Sequence, residues 1–145
     1  MSDPVFDPAN PAHASALRLL EDRIIAWFTT VDAAGRPNAV PVWFFWHDGR
    51  VWVFTEPKTA KVANVRRGSP VLVHLETGRF GNEVVILHGS ARIADEDAAT
   101  AVAPFRDAYE RKYADAIADY GMPLDEILAT FSTVLVFTPE RVLTW

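Results

Sequence analysis

The strongest constraint on this chain is a change of hydrophobic period at Ile24. Over "IIAWFTTV" (24–31), "PNAVPVWFFW" (37–46) and "RVWVFTE" (50–56), β-branched and aromatic residues dominate at a spacing of two. That is the pattern of half-buried strands, not of a helix. "DAAGR" (32–36) and "HDG" separate the three runs as turns. Asp48-Gly49 is a favoured tight-hairpin pair because both residues tolerate positive φ. The run therefore reads as a three-stranded meander. Pro41 has no N–H to give to a ladder, so the second strand is expected at a sheet edge or bulged there.

Three further segments, "PVLVHLE" (70–76), "EVVILHGSARI" (83–93) and "TVLVFTPERVLTW" (133–145), bring the expected strands to six. Helical spacing appears in 13–23, where Leu17, Leu20 and Ile24 share a face, and again in 95–118 and 122–131. In 95–118, Pro104 marks a kink, and Val102, Phe105, Tyr109 and Tyr113 share one face. The expected fold class is mainly β: a six-stranded antiparallel barrel with flanking helices, one domain over 13–145. Pro4, Pro8 and Pro11 give the first twelve residues the look of an extended arm. The second strand is apolar on both faces, with Val40, Val42 and Phe44 on one and Trp43 and Phe45 on the other. A homodimer would bury the second face.

Composition narrows the chemistry. The 145 residues are 50% hydrophobic, enough for one real core, and include no cysteine. Disulfides, thiolate nucleophiles and Cys-ligated metal sites are excluded. His13, His47, His74 and His88 lack metal-ligand spacing, so no metal site is expected. P-loop, GxSxG and GxGxxG signatures are missing. A net charge of −5 argues against nucleic acid as partner. "MSDPVFDPANPAHA" is not a basic segment leading into an apolar one, and the apolar runs are too short to span a bilayer. The expectation is a soluble, cytoplasmic protein with no membrane insertion.

Against that acidic background "EPKTAKVANVRRGSP" (56–70) stands out, with four cations in ten positions and no carboxylate between Glu56 and Glu76. It reads as a short helix with Thr59 as N-cap, Val62 and Val65 facing inward, and Gly68 as a left-handed C-cap. Arg66 and Arg67 then complement the macrodipole. Lys58 and Lys61 sit instead at its positive end, mildly unfavourable for cations, beside a cap hydroxyl and free N–H groups. That is how an anion site, best a phosphate site, is built; two snorkelling surface lysines are the plainer reading. The strand leading into this helix carries Trp52, Phe54 and Thr55, and Trp43 lies one strand earlier. A flat apolar wall joined to an anion site describes a phosphorylated ring cofactor, and backbone groups freed beside Pro41 could bond its edge.

Residues 35–76 resemble the flavin-reductase-like split barrel of the pyridoxamine 5′-phosphate oxidase superfamily, most closely its deazaflavin branch, the F420-dependent reductases. The shared pattern is Gly35-Arg36-Pro37, Pro41-Val42-Trp43-Phe44 and Asp48-Gly49. It continues with Thr59-x-Lys61-x-x-Asn64-Val65-Arg66-Arg67 and Pro70-Val71. "VVILHGSARI" and the ending "PERVLTW" are also similar, so the resemblance covers roughly 20–145. It implies a six-stranded split barrel and a homodimer with two cofactors at the subunit interface. Lys61, with Lys58 or Thr59, would hold the cofactor phosphate; Pro41, Val42 and Trp43 would line the ring, with Thr55 near the ribityl chain. Asn64 and Arg67 would support the helix, and the loop Arg79–Asn82 would reach the neighbouring subunit's cofactor. The C-terminal Arg/His motif of pyridoxamine phosphate oxidases proper has no counterpart in "RVLTW", which argues against vitamin B6 oxidation. The implied activity is transfer of hydride from reduced F420 to a small electron-poor acceptor of the quinone, enone or tetrapyrrole type. An FMN-dependent oxidoreductase, or a non-catalytic carrier of a cofactor or haem, is the alternative. Tyr109, Tyr113, Tyr120, His47 and His74 are candidate donors to an acceptor, and no catalytic residue is assigned.

Overall fold

The run 37–46 breaks after Val42, and the whole architecture follows from that break. The computed structural model describes residues 5–145. In chain order it contains α1 (Pro11–Asp22), β1 (Ala26–Val31), β2 (Pro37–Val42), β3 (Phe45–His47), β4 (Arg50–Thr55), α2 (Ala60–Arg66), β5 (Val71–Leu75) and β6 (Val85–Ile93). After β6 come α3 (Ala98–Ala101), a 3₁₀ turn (Ala103–Phe105), α4 (Arg106–Lys112), α5 (Ala114–Tyr120), α6 (Leu124–Thr130) and β7 (Thr133–Thr144). All strand pairs are antiparallel, in the order β2-β1-β5-β6-β7-β4-β3.

β2 and β3 thus occupy opposite edges of the sheet, yet only Trp43 and Phe44 separate them in the chain. Three residue steps span at most about 10 Å, so the two edges must come together. The sheet is rolled into a barrel and split at residues 43–44. This corrects two expectations. The sheet has seven strands, not six, because 37–46 breaks in two. And 24–56 is no meander: β2 pairs with β1, whereas β4 pairs with β3 and β7. Pro41 lies on an edge strand as expected, opposite Trp27 of β1, and Asp48 and Gly49 both take positive φ (54° and 70°) in the β3–β4 turn.

Alternation continues across the break. Val42 and Phe44 join the barrel interior with Phe28, Val53, Leu87 and Phe137, while Leu20 of α1 and Val62 and Val65 of α2 are buried in the same cluster. Trp43 and Phe45 face the other way, against Phe105, Tyr109, Tyr113, Leu124 and Leu128. The second apolar face is therefore covered by α3–α6 of the same chain. Helix α1 starts at Pro11, two residues earlier than the spacing predicts, capped by Asn10; Phe6 ahead of it is buried against Trp46. The first four residues of the expected arm lie outside the described residues.

Breaking a strand strands its backbone groups, and a buried unpaired N–H or C=O costs about as much as a lost hydrogen bond. Tyr113, at the end of α4, resolves this. Its hydroxyl accepts from the Phe44 N–H at 2.7 Å, and its one proton lies between the carbonyls of Ile24 (2.7 Å) and Phe44 (2.8 Å). Lys112 Nζ also donates to the Phe44 carbonyl, at 3.0 Å, from 3.9 Å above the Phe44 ring. At the far side of the barrel β6 and β7 approach through a bulge at His88/Gly89. A Cβ on Gly89 would stand 2.1 Å from the Thr138 carbonyl oxygen and 3.0 Å from the Phe137 ring.

Two predictions follow from these contacts. Gly89→Ala forces backbone apart inside the barrel wall and should lower the unfolding free energy by about 2–3 kcal/mol in urea titration; a change below ~0.5 kcal/mol would refute the close approach. Burial lowers the Lys112 pKa to about 8, against Asp22 and Glu21, which raise it. The folded chain therefore gives up this proton before the unfolded chain does, and stability rises with pH from about 8 towards 10.5. Above pH 10 the trend reverses, because burial holds the Tyr113 and Tyr109 hydroxyls above their ordinary range. Between pH 7.5 and 10 the wild-type urea midpoint should rise relative to that of Lys112→Met, by on the order of 1 kcal/mol allowing for partial exposure. Parallel curves for the two proteins would contradict the burial of this charge.

Candidate functional site

Helix α2 forms where the sequence places it. Thr59 is extended, and its Oγ1 accepts from the Val62 N–H at 3.4 Å. At the other end Gly68 is left-handed (φ +86°), with Gly68 N–H bonded to Val65 O and Ser69 N–H to Asn64 O, a Schellman motif. Arg66 and Arg67 are exposed. The Arg67 guanidinium donates to Asn64 Oδ1, and the buried Asn64 amide donates to the buried Thr30 hydroxyl at 2.9 Å. This chain pins α2 to β1, the supporting role expected for Asn64 and Arg67.

The two lysines part company. Lys58 is exposed. Lys61 is half-buried and turns onto the wall of a cavity of about 240 Å³. Desolvation lowers its pKa, and the Glu56 carboxylate opposes the shift. Pro41, Val42 and Trp43 line this cavity at the end of β2, Phe54 and Thr55 at the end of β4. The last walls come from the helices: Tyr109 of α4, Tyr120 of α5, and Ile127 and Phe131 on α6 and its C-terminal flank. The sheet brings β2 and β4 together here only because it is rolled shut at the strand break.

Five of the seven residues singled out from the sequence, Pro41, Val42, Trp43, Thr55 and Lys61, therefore line a single cavity. Thr59 sits beside it as the cap of α2, and Lys58 is not on its wall. Trp43 stacks on Tyr113 (4.7 Å between centroids, 11° between planes) and meets Tyr120 edge-on at 6.3 Å. The sequence reading missed Ile127 and Phe131. Their i,i+4 spacing marks an apolar stripe, but nothing local says which sheet face it covers. His47 packs on Phe105 at 4.9 Å and His74 stacks on Trp27 at 6.4 Å, both away from the cavity. The loop Arg79–Asn82 also lies elsewhere: Asn82 lines a separate groove with α1 and the end of β7.

Chemically this is an apolar slot with flat aromatic walls, a cation at one margin and few hydroxyls. It suits a planar conjugated molecule carrying a negative charge.

Among the described residues no helix is long and apolar enough to cross a membrane. No curated protein matches the sequence. Solved structures share the fold. The conserved hypothetical protein Rv2991 from Mycobacterium tuberculosis matches with TM-score 0.73 at 19% identity, over 100% of this chain and 88% of that one. A structure described as an F420 reductase gives 0.65 at 19% identity, over 87% and 94%. A FAD-binding protein from Mesorhizobium loti gives 0.64 at 16% identity, over 89% and 88%. The family model described as pyridoxamine 5′-phosphate oxidase matches residues 12–145. With the rolled antiparallel sheet and its flanking helices, that match shows that the chain belongs to the pyridoxamine 5′-phosphate oxidase family.

Proposed function

We propose that this chain is an F420H2-dependent oxidoreductase that passes hydride to a planar, electron-poor acceptor of the quinone, enone or tetrapyrrole type. The observation that carries the reading is the convergence of Pro41, Val42, Trp43, Thr55 and the half-buried Lys61 on one aromatic-walled cavity. The residues present fit a phosphorylated ring cofactor. Pro41, Val42 and Trp43 would lie along the ring and Thr55 beside its side chain. Lys61 would meet the phosphate with Lys58 or Thr59, whose hydroxyl keeps its own proton to donate while it caps α2. When bound, the deazaflavin supplies the hydride. The protein's share is to hold two flat molecules face to face and keep water out. Likeness to an F420 reductase favours the deazaflavin, and FMN is the alternative ring.

We also propose a homodimer. At about 240 Å³ the cavity falls below the roughly 300–1,000 Å³ of most small-molecule sites, so walls from a second chain would complete it. The outer face of β1, β5, β6 and β7 supports this. Trp27, His74, Ile86 and Leu143 line up in register across those four strands. The first three are half-buried and Leu143 is 48% exposed. Such an apolar band is an interface in waiting.

Two measurements test these readings. In fluorescence titrations the protein should bind oxidised F420 more tightly than FMN, and Lys61→Glu should weaken binding more than tenfold. Arg66→Glu, exposed at the far end of α2, should not change it. Haem binding without affinity for either ring would replace the oxidoreductase with a carrier. Sedimentation should give twice the 16.1 kDa chain mass, and Leu143→Glu should shift the particle towards monomer with its secondary structure intact. A wild-type monomer would end the dimer proposal.

A further inference from the structure

Two tyrosines, Tyr109 and Tyr120, line the cavity, and Tyr113 stacks on its Trp43 wall; their roles differ. Tyr113 has its hydroxyl committed to the Phe44 and Ile24 backbone. Tyr120 is 50% exposed, its ring at the cavity mouth. Tyr109 is different. It is only 3% exposed and lines the cavity, and among the described residues no hydrogen bond engages its hydroxyl, whose oxygen is not one of the fully buried unpaired atoms. Among the described residues His88 Nδ1 is the fully buried side-chain atom left unpaired; the Tyr109 oxygen instead keeps some accessible surface, so a molecule in the cavity can reach it.

The ring cannot turn away to find a partner elsewhere. Tyr113 packs on it at 4.9 Å, Phe54 at 5.4 Å, Phe45 at 5.9 Å and Phe105 at 6.5 Å between centroids. Aromatic rings on several sides fix the plane, and the bonds of Tyr113 to the strand break hold the end of α4, the helix that carries Tyr109. The residue lines a cavity whose other walls are mostly apolar. Burial holds its proton well above the ordinary tyrosine range, so at any physiological pH it is a donor and not a phenolate. Lys61 also lines the cavity and is the charged residue among its lining. An anionic substituent belongs with Lys61, and a neutral acceptor atom belongs with Tyr109.

We propose that Tyr109 is the hydrogen-bond donor to a ring carbonyl of the planar molecule held in this cavity, fixing its orientation and polarising it. The inference deepens the proposed function, and rests on it only for the identity of the ring. Flavin-type cofactors and quinone or enone acceptors share the conjugated carbonyl; the experiment separates them.

The test compares wild type with Tyr109→Phe, which keeps the ring and removes the hydroxyl, using oxidised F420, FMN and the naphthoquinone menadione as probes. Tyr109→Met serves if the phenylalanine variant does not fold. Dissociation constants and the carbonyl stretching frequency of the bound probe are read together. The expected result is about tenfold weaker binding of at least one probe, with its carbonyl band, lowered on binding to wild type, returning towards the free value. Loss confined to F420 or FMN assigns the carbonyl to the cofactor. Loss confined to menadione, with cofactor affinity unchanged, assigns it to the acceptor. If neither F420 nor FMN binds wild type while menadione does so through Tyr109, the proposed function falls and the donor stands. Affinities within twofold for all three, with unshifted bands, overturn the donor and leave the proposed function intact. Failure of wild type to bind any of the three overturns both.

Discussion

A single phenolic oxygen carries an unusual share of this structure. The Tyr113 hydroxyl meets the N–H and C=O of Phe44 and the C=O of Ile24, at the point where one strand stops and the next begins at the opposite edge of the sheet. Without a partner there, continuing 37–46 as one strand would be the cheaper course, since ladder hydrogen bonds would satisfy Phe44. With it, the chain can change edges within two residues, roll the sheet and bring the ends of β2 and β4 side by side. Lys112 reinforces the same carbonyl while its charge lies over the Phe44 ring. Its partial desolvation is tolerable because the ring face, the carbonyl and the acidic side chains of α1 all favour the ammonium.

The cavity is a consequence of that geometry. Its sheet-side wall is the end of the broken strand, and its roof is the helical excursion that supplies Tyr113. One residue therefore joins the two halves: the Tyr113 ring stacks on Trp43 while its hydroxyl holds the backbone next door. Affinity for a flat ligand depends on how well the site is organised before binding. Here Trp43 is held by contacts the ligand need not make, and α2, which presents Lys61, is anchored through Asn64 to Thr30.

Local rules captured what depends on neighbours in sequence. The alternating strands, the Asp48-Gly49 turn, the Thr59 cap, the Gly68 stop and the edge position of Pro41 all follow from side-chain chemistry within a few residues. The two faces of 40–45 were also legible, but not what covers them: a second chain was expected over Trp43 and Phe45, and α3–α6 lie there. The strand break was invisible because its cause, Tyr113, is 69 residues away. Ile127 and Phe131 were missed for a similar reason, since a helix stripe does not announce its partner. The parting of Lys58 from Lys61 also depends on tertiary burial, which placed one in solvent and the other on the cavity wall.

The most direct measurement of the central claim is a crystal structure of the protein with oxidised F420, and with FMN for comparison. The account predicts the tricyclic ring lying along Pro41–Trp43 beneath the α4–α6 roof. The Lys61 ammonium should stand within about 3 Å of a phosphate oxygen. A cofactor bound at another surface, with Lys61 facing solvent and the slot beside Trp43 empty, would contradict it.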